Sequence, residues 1–302
     1  MITITEIALR ATVQDAGRTR HLRLGVPSSG PVDRVAHAAA NVLVGNHGGA
    51  AALEIVGLPF AFRAERPLLV AATGPEVRLE VRGTIPGWTS AFARAGDEVR
   101  VTGTARYAYV AVSGEIDLPP LLGSRAAYPA AGLGPAPLRV GERVPIAPAR
   151  ADPALSGRSF EDVPAYGSGR ARVLVGPHDA RVDAAAFLTS EYRVDLRSDR
   201  MGVRLTGPAL AVRGGELLTC GVVEGAIQVP PGGTPIVLLA DHQTTGGYPV
   251  VATVIAADLP IVAQAPAGST LRFVRTTRAE AVAALQRVRR ALALRPPDPE
   301  KA

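Results

Sequence analysis

The sequence predicts an all-β protein of two domains, and three observations carry that reading. Short runs of Val, Ile, Leu and Thr recur along the chain, each bounded by Gly, Pro or Asp, the pattern of strands cut by turns. Their spacing of about 8–12 residues suits barrels or sandwiches. The length of 302 residues suits two domains of about 150 residues each.

Taken in order, PLLVAATG (67–74), VRLEVRG (77–83), DEVRVTG (97–103) and YAYVAVSG (107–114) read as strands of the first half. ARVLVG (171–176), GAIQVPPGG (225–233), TPIVLLAD (234–241) and PVVATVIAAD (249–258) read as strands of the second. Helices are few. Asp33 caps a short helix through AHAAANVLV that Gly45 closes, and a second short helix follows Asp183. Thr277 and Glu280 form a T-x-x-E capping box, after which Ala281, Leu285, Val288 and Leu292 share one helical face. Pro296 and Pro297 stop that helix, and Arg287, Arg289 and Arg290 fall on its solvated side.

A faint repeat relates the halves. R-L-G-V (23–26) followed by S-G-P (29–31) aligns with R-M-G-V (200–203) followed by T-G-P (206–208). LEIV (53–56) then aligns with IQVP (227–230), and PLLVAA (67–72) with PIVLLA (235–240). The expected division is a first β domain over 1–160, a second over 161–277, and a C-terminal helix and tail over 278–302. The Pro- and Gly-rich stretch 145–170 has the composition of a linker.

Composition excludes several classes. Hydrophobic residues make up 47% and charged residues 20%, enough apolar material to rule out global disorder. No apolar run approaches the ~20 residues that span a bilayer. The start, MITITEIALRATVQD, lacks a basic stretch followed by a long apolar one, so no secretory signal is expected. A cytoplasmic protein is expected. The net charge of +6 is carried almost wholly by scattered arginines, Lys301 being the only lysine. With aromatics at 4% there is little platform for stacking bases, and no nucleic-acid partner is expected. The phosphate-binding P-loop, the dinucleotide G-x-G-x-x-G and the G-x-S-x-G elbow are all missing. The five histidines are not at zinc-ligand spacing, so no metal site is expected. No Met-Lys-Met biotin-attachment motif exists, so any biotin must arrive on another protein.

The densest polar constellation is Asp241-His242-Gln243-Thr244-Thr245-Gly246-Gly247-Tyr248, at the end of the apolar strand PIVLLA. Its Gln and Thr side chains offer neutral donors and acceptors suited to an amide, lactam or ureido group, and its glycines let a ligand approach the backbone. The same residues also suit a polar hairpin that only satisfies its own backbone. Asp241, the sole acid of the motif, is a candidate base. Arg200 can clamp a carboxylate or phosphate, or pair with Asp199 or Asp195. Arg18 is a second candidate anion binder, whereas Asp33 reads better as a helix cap. Gln228, alone among apolar neighbours, is either a ligand contact or a structural bridge, since a buried glutamine must be hydrogen-bonded. Cys220, the only cysteine, reads as a small buried residue.

TVQDAGR (12–18), LGVPSSGPVD (24–33), AANVLVGN (39–46), ALEI (52–55), GEIDLPPLLGSR (114–125), SDRMGVRLTGP (198–208) and the long stretch 225–259 resemble a known family. It is that of KipA, also called allophanate hydrolase subunit 2, which is the C component of 5-oxoprolinase. The family is similar to the second half of the carboxyltransferase region of urea carboxylase. The resemblance covers about residues 5–275. It implies two cyclophilin-like β-barrel domains. It also implies a partner resembling the B component (KipI, or allophanate hydrolase subunit 1), with a lactam-hydrolase-like A component joining the two. The implied reaction is the ATP-dependent opening of 5-oxo-L-proline to L-glutamate. On chemical grounds Gln228, Gln243, Thr245, Gly246 and Gly247 are the candidate donors to developing negative charge, Asp241 the candidate base or orienting residue, Arg200 or Arg18 candidates to hold phosphate or a substrate carboxylate, and Tyr248 a candidate substrate contact. Two alternatives stand beside it: carboxyl transfer from carboxybiotin carried by another chain, and a KipA-like regulator that binds a kinase inhibitor. The sequence departs from the family pattern at Thr19, Glu115, Cys220 and His242, where His replaces the usual Arg before Gln243 and alters the charge of the candidate site.

Overall fold

The computed structural model describes residues 1–160, 163–215 and 217–292. The chain divides into two compact units. One comprises Met1–Arg18, Asp33–Val163 and the chain from Arg289; the other comprises Thr19–Val32 and Pro164–Val288. The protein is all-β, with few helices among the described residues.

The first unit contains β1 (Ile2–Ile7), β2 (Arg10–Gln14), α1 (Arg34–Leu43), β3 (Ala52–Val56), β4 (Phe60–Ala64), β5 (Leu68–Thr73), β6 (Val77–Glu80), β7 (Thr84–Pro86), β8 (Thr89–Ala93), β9 (Glu98–Gly103), β10 (Tyr107–Val112) and β11 (Arg143–Val144). They form two antiparallel sheets, β11-β1-β4-β9-β6-β7 and β2-β3-β10-β5-β8. In β9 buried Val99 and Val101 alternate with half-buried Arg100 and Thr102, as a strand with one wetter face requires. Strands β5 and β10 are buried at every position. One continuous apolar core results, including Ile4, Leu53, Phe60, Phe62, Leu79 and Val110. Each such side chain contributes about 1.5–3 kcal/mol on burial.

Helix α1 starts where its cap predicts. Asp33 Oδ1 accepts from the Val35 and Ala36 amides at 3.1 and 2.9 Å. Gly45, at φ +84°, takes the left-handed conformation just past the helix end, and its amide donates to Val42 O.

The second unit contains β12 (Arg170–Val175), α2 (Ala184–Thr189), β13 (Tyr192–Val194), β14 (Gly202–Thr206), β15 (Cys220–Gly221), β16 (Ala226–Gln228), β17 (Ile236–Leu238), β18 (Thr245–Gly246), β19 (Val250–Val254), α3 (Leu259–Gln264) and β20 (Thr270–Arg275); α4 (Arg278–Leu292) follows in the chain. Seven strands close a barrel in the order β12-β19-β16-β17-β14-β13-β20. The closing pair, β12 with β20, is parallel. Closure removes the open edges that a sheet would otherwise expose. Phe187, Tyr192 and Phe273 fill one region, with Phe187 stacked on Phe273 at 5.0 Å between ring centroids. Strands β15 and β18 form a separate two-stranded ribbon.

The local helix signals hold. Asp183 Oδ1 accepts from Ala186 N at 2.9 Å to cap α2. The capping box of α4 is reciprocal, with Glu280 N donating to Thr277 Oγ1 and Thr277 N to Glu280 Oε2. Arg287, Arg289 and Arg290 are exposed, and the face of Ala281, Leu285 and Val288 is half-buried. Pro296 and Pro297 lie outside the described residues. Helix α3 is a difference: the run 249–258 reads as a strand throughout, but β19 ends at Val254 and Pro260 sits in the first turn of α3. The aligned segments also take different places. LEIV lies on β3 and PLLVAA on β5, which β10 separates, whereas IQVP begins on β16 and PIVLLA lies on β17, which pair directly.

Candidate functional site

Strands β16 and β17 pair with Gln228 opposite Ile236, and the chain leaves β17 through Leu239 into the 241–248 motif. The turn that follows is anchored at its root. Asp241 N donates to Arg200 O, and His242 N to Leu239 O. The Asp241 side chain accepts from Arg200 twice, Nε to Oδ2 at 2.7 Å and Nη2 to Oδ1 at 2.9 Å. Both side chains are about 5% exposed. Arg200 Nη2 also donates to Gly30 O at 2.8 Å, so the same guanidinium holds the 19–32 segment of this unit. Arg200 and Asp241, read separately as anion clamp and base, are thus each other's partner. The guanidinium fork matches the carboxylate bidentately, and a fully desolvated pair is costly to break on one side.

Past that anchor two glutamines meet. Gln243 Nε2 donates to Gln228 Oε1 at 3.0 Å. Gln228 is 2% exposed, and its Nε2 has no hydrogen-bond partner. Gln243 is half-buried, and the His242 ring Nδ1 lies 2.5 Å from the Gln243 carbonyl oxygen. Gly246 is required here: a Cβ at that position would lie 2.6 Å from Gln228 Nε2 and 3.4 Å from Gln243 Nε2. The structure therefore gathers Gln228, Gln243 and Gly246 into one cluster, and Gln228 pairs across the sheet with Val250 of the small apolar group Val222, Ala226, Leu238 and Val250. Thr245 is exposed, Gly247 half-buried, and Tyr248 46% exposed. Arg18 belongs to the other unit, where it is buried and donates through Nη2 to Ala126 O.

Cys220 corrects the sequence reading, which made it a buried residue. It is exposed, because it lies on the β15–β18 ribbon and not in the barrel wall. Among the described residues no three His, Cys, Asp or Glu side chains are grouped to hold a metal ion. No described helix is long and apolar enough to cross a membrane.

The first unit contains a polar cluster that pattern reading missed. Tyr109 OH donates to Glu54 Oε2 at 2.9 Å and accepts from Asp33 N at 2.8 Å. Burial, reinforced by the Glu54 charge, raises the Tyr109 phenol well above its ordinary range, so it stays a neutral donor. His37 Nε2 donates to the Gln14 carbonyl at 3.0 Å, and the ring meets Tyr109 edge-on at 5.9 Å. Burial lowers the His37 pKa to about 4 against the opposing pull of that hydrogen bond, leaving a neutral imidazole. Nearby, Asp15 accepts from Ser124 Oγ at 2.5 Å and Arg125 N at 2.6 Å, tying TVQDAGR to GSR. A signal for Glu54 existed: it is the charged residue in an apolar strand, aligned by the repeat with Gln228.

The chain belongs to the carboxyltransferase domain family, subdomains A and B, whose pattern matches residues 24–275. It is 35% identical over 297 residues to the C component of 5-oxoprolinase from Escherichia coli, covering 95% of this chain and 94% of that one. It superposes on the crystal structure of the protein TTHA0988 with a TM-score of 0.83 at 34% identity, covering 90% of this chain and 55% of that chain. It also superposes on Kluyveromyces lactis urea carboxylase with a TM-score of 0.84 at 25% identity, over 96% of this chain but 29% of that much longer one.

Proposed function

We propose that this chain is one component of an ATP-dependent complex that opens the cyclic amide 5-oxo-L-proline to L-glutamate. The observation that carries the reading is Gln228 Nε2, buried and without a partner beside Gln243. The likeness to the E. coli C component supports it. A buried amide donor left unsatisfied costs about 1–3 kcal/mol, and a ligand oxygen placed against it removes that cost. Gln228 Nε2 and the second hydrogen of Gln243 Nε2 suit a lactam carbonyl. Negative charge growing on that oxygen as the ring opens strengthens both bonds in a site shielded from water. Arg200 and Asp241 act as positioning residues that fix the root of the loop.

The reading takes ATP at the level of the complex, with a KipI-like chain as the direct partner and a lactam-hydrolase-like chain joining them. A ureido carbonyl fits the same donors, which favours as second reading a urea-carboxylase-like transfer with biotin carried in trans. Co-expression with the neighbouring gene products, followed by ADP release and product assays against 5-oxoproline, urea and no substrate, separates the two. Turnover of 5-oxoproline with glutamate formed is the expected result. A stable complex that turns over neither substrate would leave the regulatory, KipA-like role. Within the active complex, Gln228→Ala and Gln243→Ala each lower turnover about 10²-fold. Wild-type turnover in both would falsify this placement of the site.

A further inference from the structure

Gln228 of β16 faces β19 where the pairing of the two strands is irregular. Ala226 and Ile227 lie opposite Thr253 and Ala252, but Gln228 lies opposite Val250, so Val251 is an extra residue that bulges β19. A bulge bends its strand and re-aims the side chains beside it. The segment 176–178, which continues from β12, grips this bulge. Gly176 N donates to Val251 O at 2.9 Å and His178 N to Val250 O at 3.0 Å. In return Val250 N donates to the ring Nδ1 of His178 at 3.1 Å. A backbone N–H can only donate, so His178 Nδ1 presents its lone pair to it. Val250 is 5% exposed and Val251 0%, so without that nitrogen the Val250 amide would be a buried donor lacking its acceptor. Of these three bonds it alone is accepted by a side chain.

We propose that His178 is a positioning residue for the reaction: by accepting from Val250 N it holds the β19 bulge that sets Gln228 against Gln243. This rests on the reading of that pair as a carbonyl site. The place of Gln228 is narrowly set on its other side as well. Its Oε1 takes the Gln243 amide at 3.0 Å, and its Nε2 packs so closely on Gly246 that a Cβ there would stand 2.6 Å away. A shift of the bulge, passed through the Gln228–Val250 pairing, would therefore strain one of these contacts or break the other. Misplacing a reacting group by about 1 Å can cost about 10²-fold in rate. The donors are read as serving charge that grows while the ring opens, so the loss falls on kcat more than on KM. His178 acts through the backbone of β19, in the role that a side-chain acceptor of any kind at the same point could fill.

The test measures kcat and KM for 5-oxoproline in the reconstituted complex, with Tm alongside. His178→Phe keeps a ring but loses the acceptor, and kcat should fall about 10-fold or more with KM changed less. His178→Asn carries an oxygen on Cγ, where Nδ1 is attached, and should restore kcat. If the phenylalanine variant folds poorly, His178→Gln takes its place, since its oxygen stands one bond too far out. In a Gln228→Ala background His178→Phe should lower kcat little further, because the group it positions is gone. Wild-type kcat in His178→Phe overturns the proposal whatever happens to Tm. Equal loss in the asparagine variant does so too, as does an undiminished effect in the Gln228→Ala background. Wild-type turnover in Gln228→Ala alone overturns the site reading and this proposal with it. Loss in Gln228→Ala beside a harmless His178→Phe overturns this proposal alone.

Discussion

Glu54 in β3 and Gln228 in β16 are the buried polar residues of two aligned apolar segments, and their surroundings differ in kind. Around Glu54 the polar groups engage one another: Tyr109 donates to the carboxylate and accepts from the first amide of the α1 cap, and His37 beside it is held neutral on a backbone carbonyl. Around Gln228 one bond is made, from Gln243, and the amide nitrogen is left without an acceptor. A buried network whose members engage one another stabilises and specifies a fold, whereas an unpartnered buried donor calls for an explanation, which the proposed function supplies as a ligand oxygen. The arginines of the aligned R-x-G-V motifs diverge as well. Arg23 is exposed on a short 3-10 turn (Leu22–Leu24), while Arg200 is buried against Asp241.

The strongest test of this contrast breaks the anchor of the second unit. Arg200→Met leaves the Asp241 carboxylate buried without its bidentate partner and should cost about 3–5 kcal/mol. Urea unfolding measures it, and a loss under about 1 kcal/mol would show that the pair is not desolvated in solution. A smaller effect is expected from His37. Its folded pKa of about 4 lies below the ordinary 6.5, so the unfolded chain binds the extra proton between those values. The stability contributed by neutral His37 is therefore complete above about pH 6.5 and is lost as pH falls toward 4, by about 3 kcal/mol over the window. His37→Gln should flatten that limb; an unchanged pH slope would place the acid sensitivity elsewhere.

Tyr109→Phe comes next. It strips a donor from Glu54 and an acceptor from Asp33 N, for a loss of about 1–3 kcal/mol read as a lower Tm. The smallest effect is expected at the matching place in the other unit. Gln228→Met removes an amide whose nitrogen has no partner, and water reaches the half-buried Gln243 it releases, so stability should change by less than about 1 kcal/mol. If Gln228→Met costs as much as Tyr109→Phe, the open donor is satisfied in solution and the contrast between the two clusters fails.

Much of this was legible in the chain. The caps at Asp33, Asp183 and Thr277 were readable because donor and acceptor lie within three residues of each other. Strands β5, β6, β9, β10, β12, β16, β17 and β19 announced themselves through apolar runs and turn residues, and Gln228 stood out as polar among apolar neighbours. The 241–248 motif was visible as a polar stretch, but not which of its members face inward. Helix α3 was hidden by continuity with an apolar strand. Cys220 was misread because residue type alone favours burial for cysteine, and only its place on the ribbon exposes it.

The sequence by itself determined the all-β class, the helix starts and the short list of polar residues set among apolar ones, since each rests on neighbours a few positions away. Tertiary structure decided the pairings. Arg200 finds Asp241 across 41 positions, and Gln243 finds Gln228 across 15. It also assigned Thr19–Val32 to the second unit, with Gly30 O held by Arg200. Those partners depend on strand order and register in the closed barrel, where a slip of one residue turns each side chain to the opposite face, and no local pattern encodes that choice.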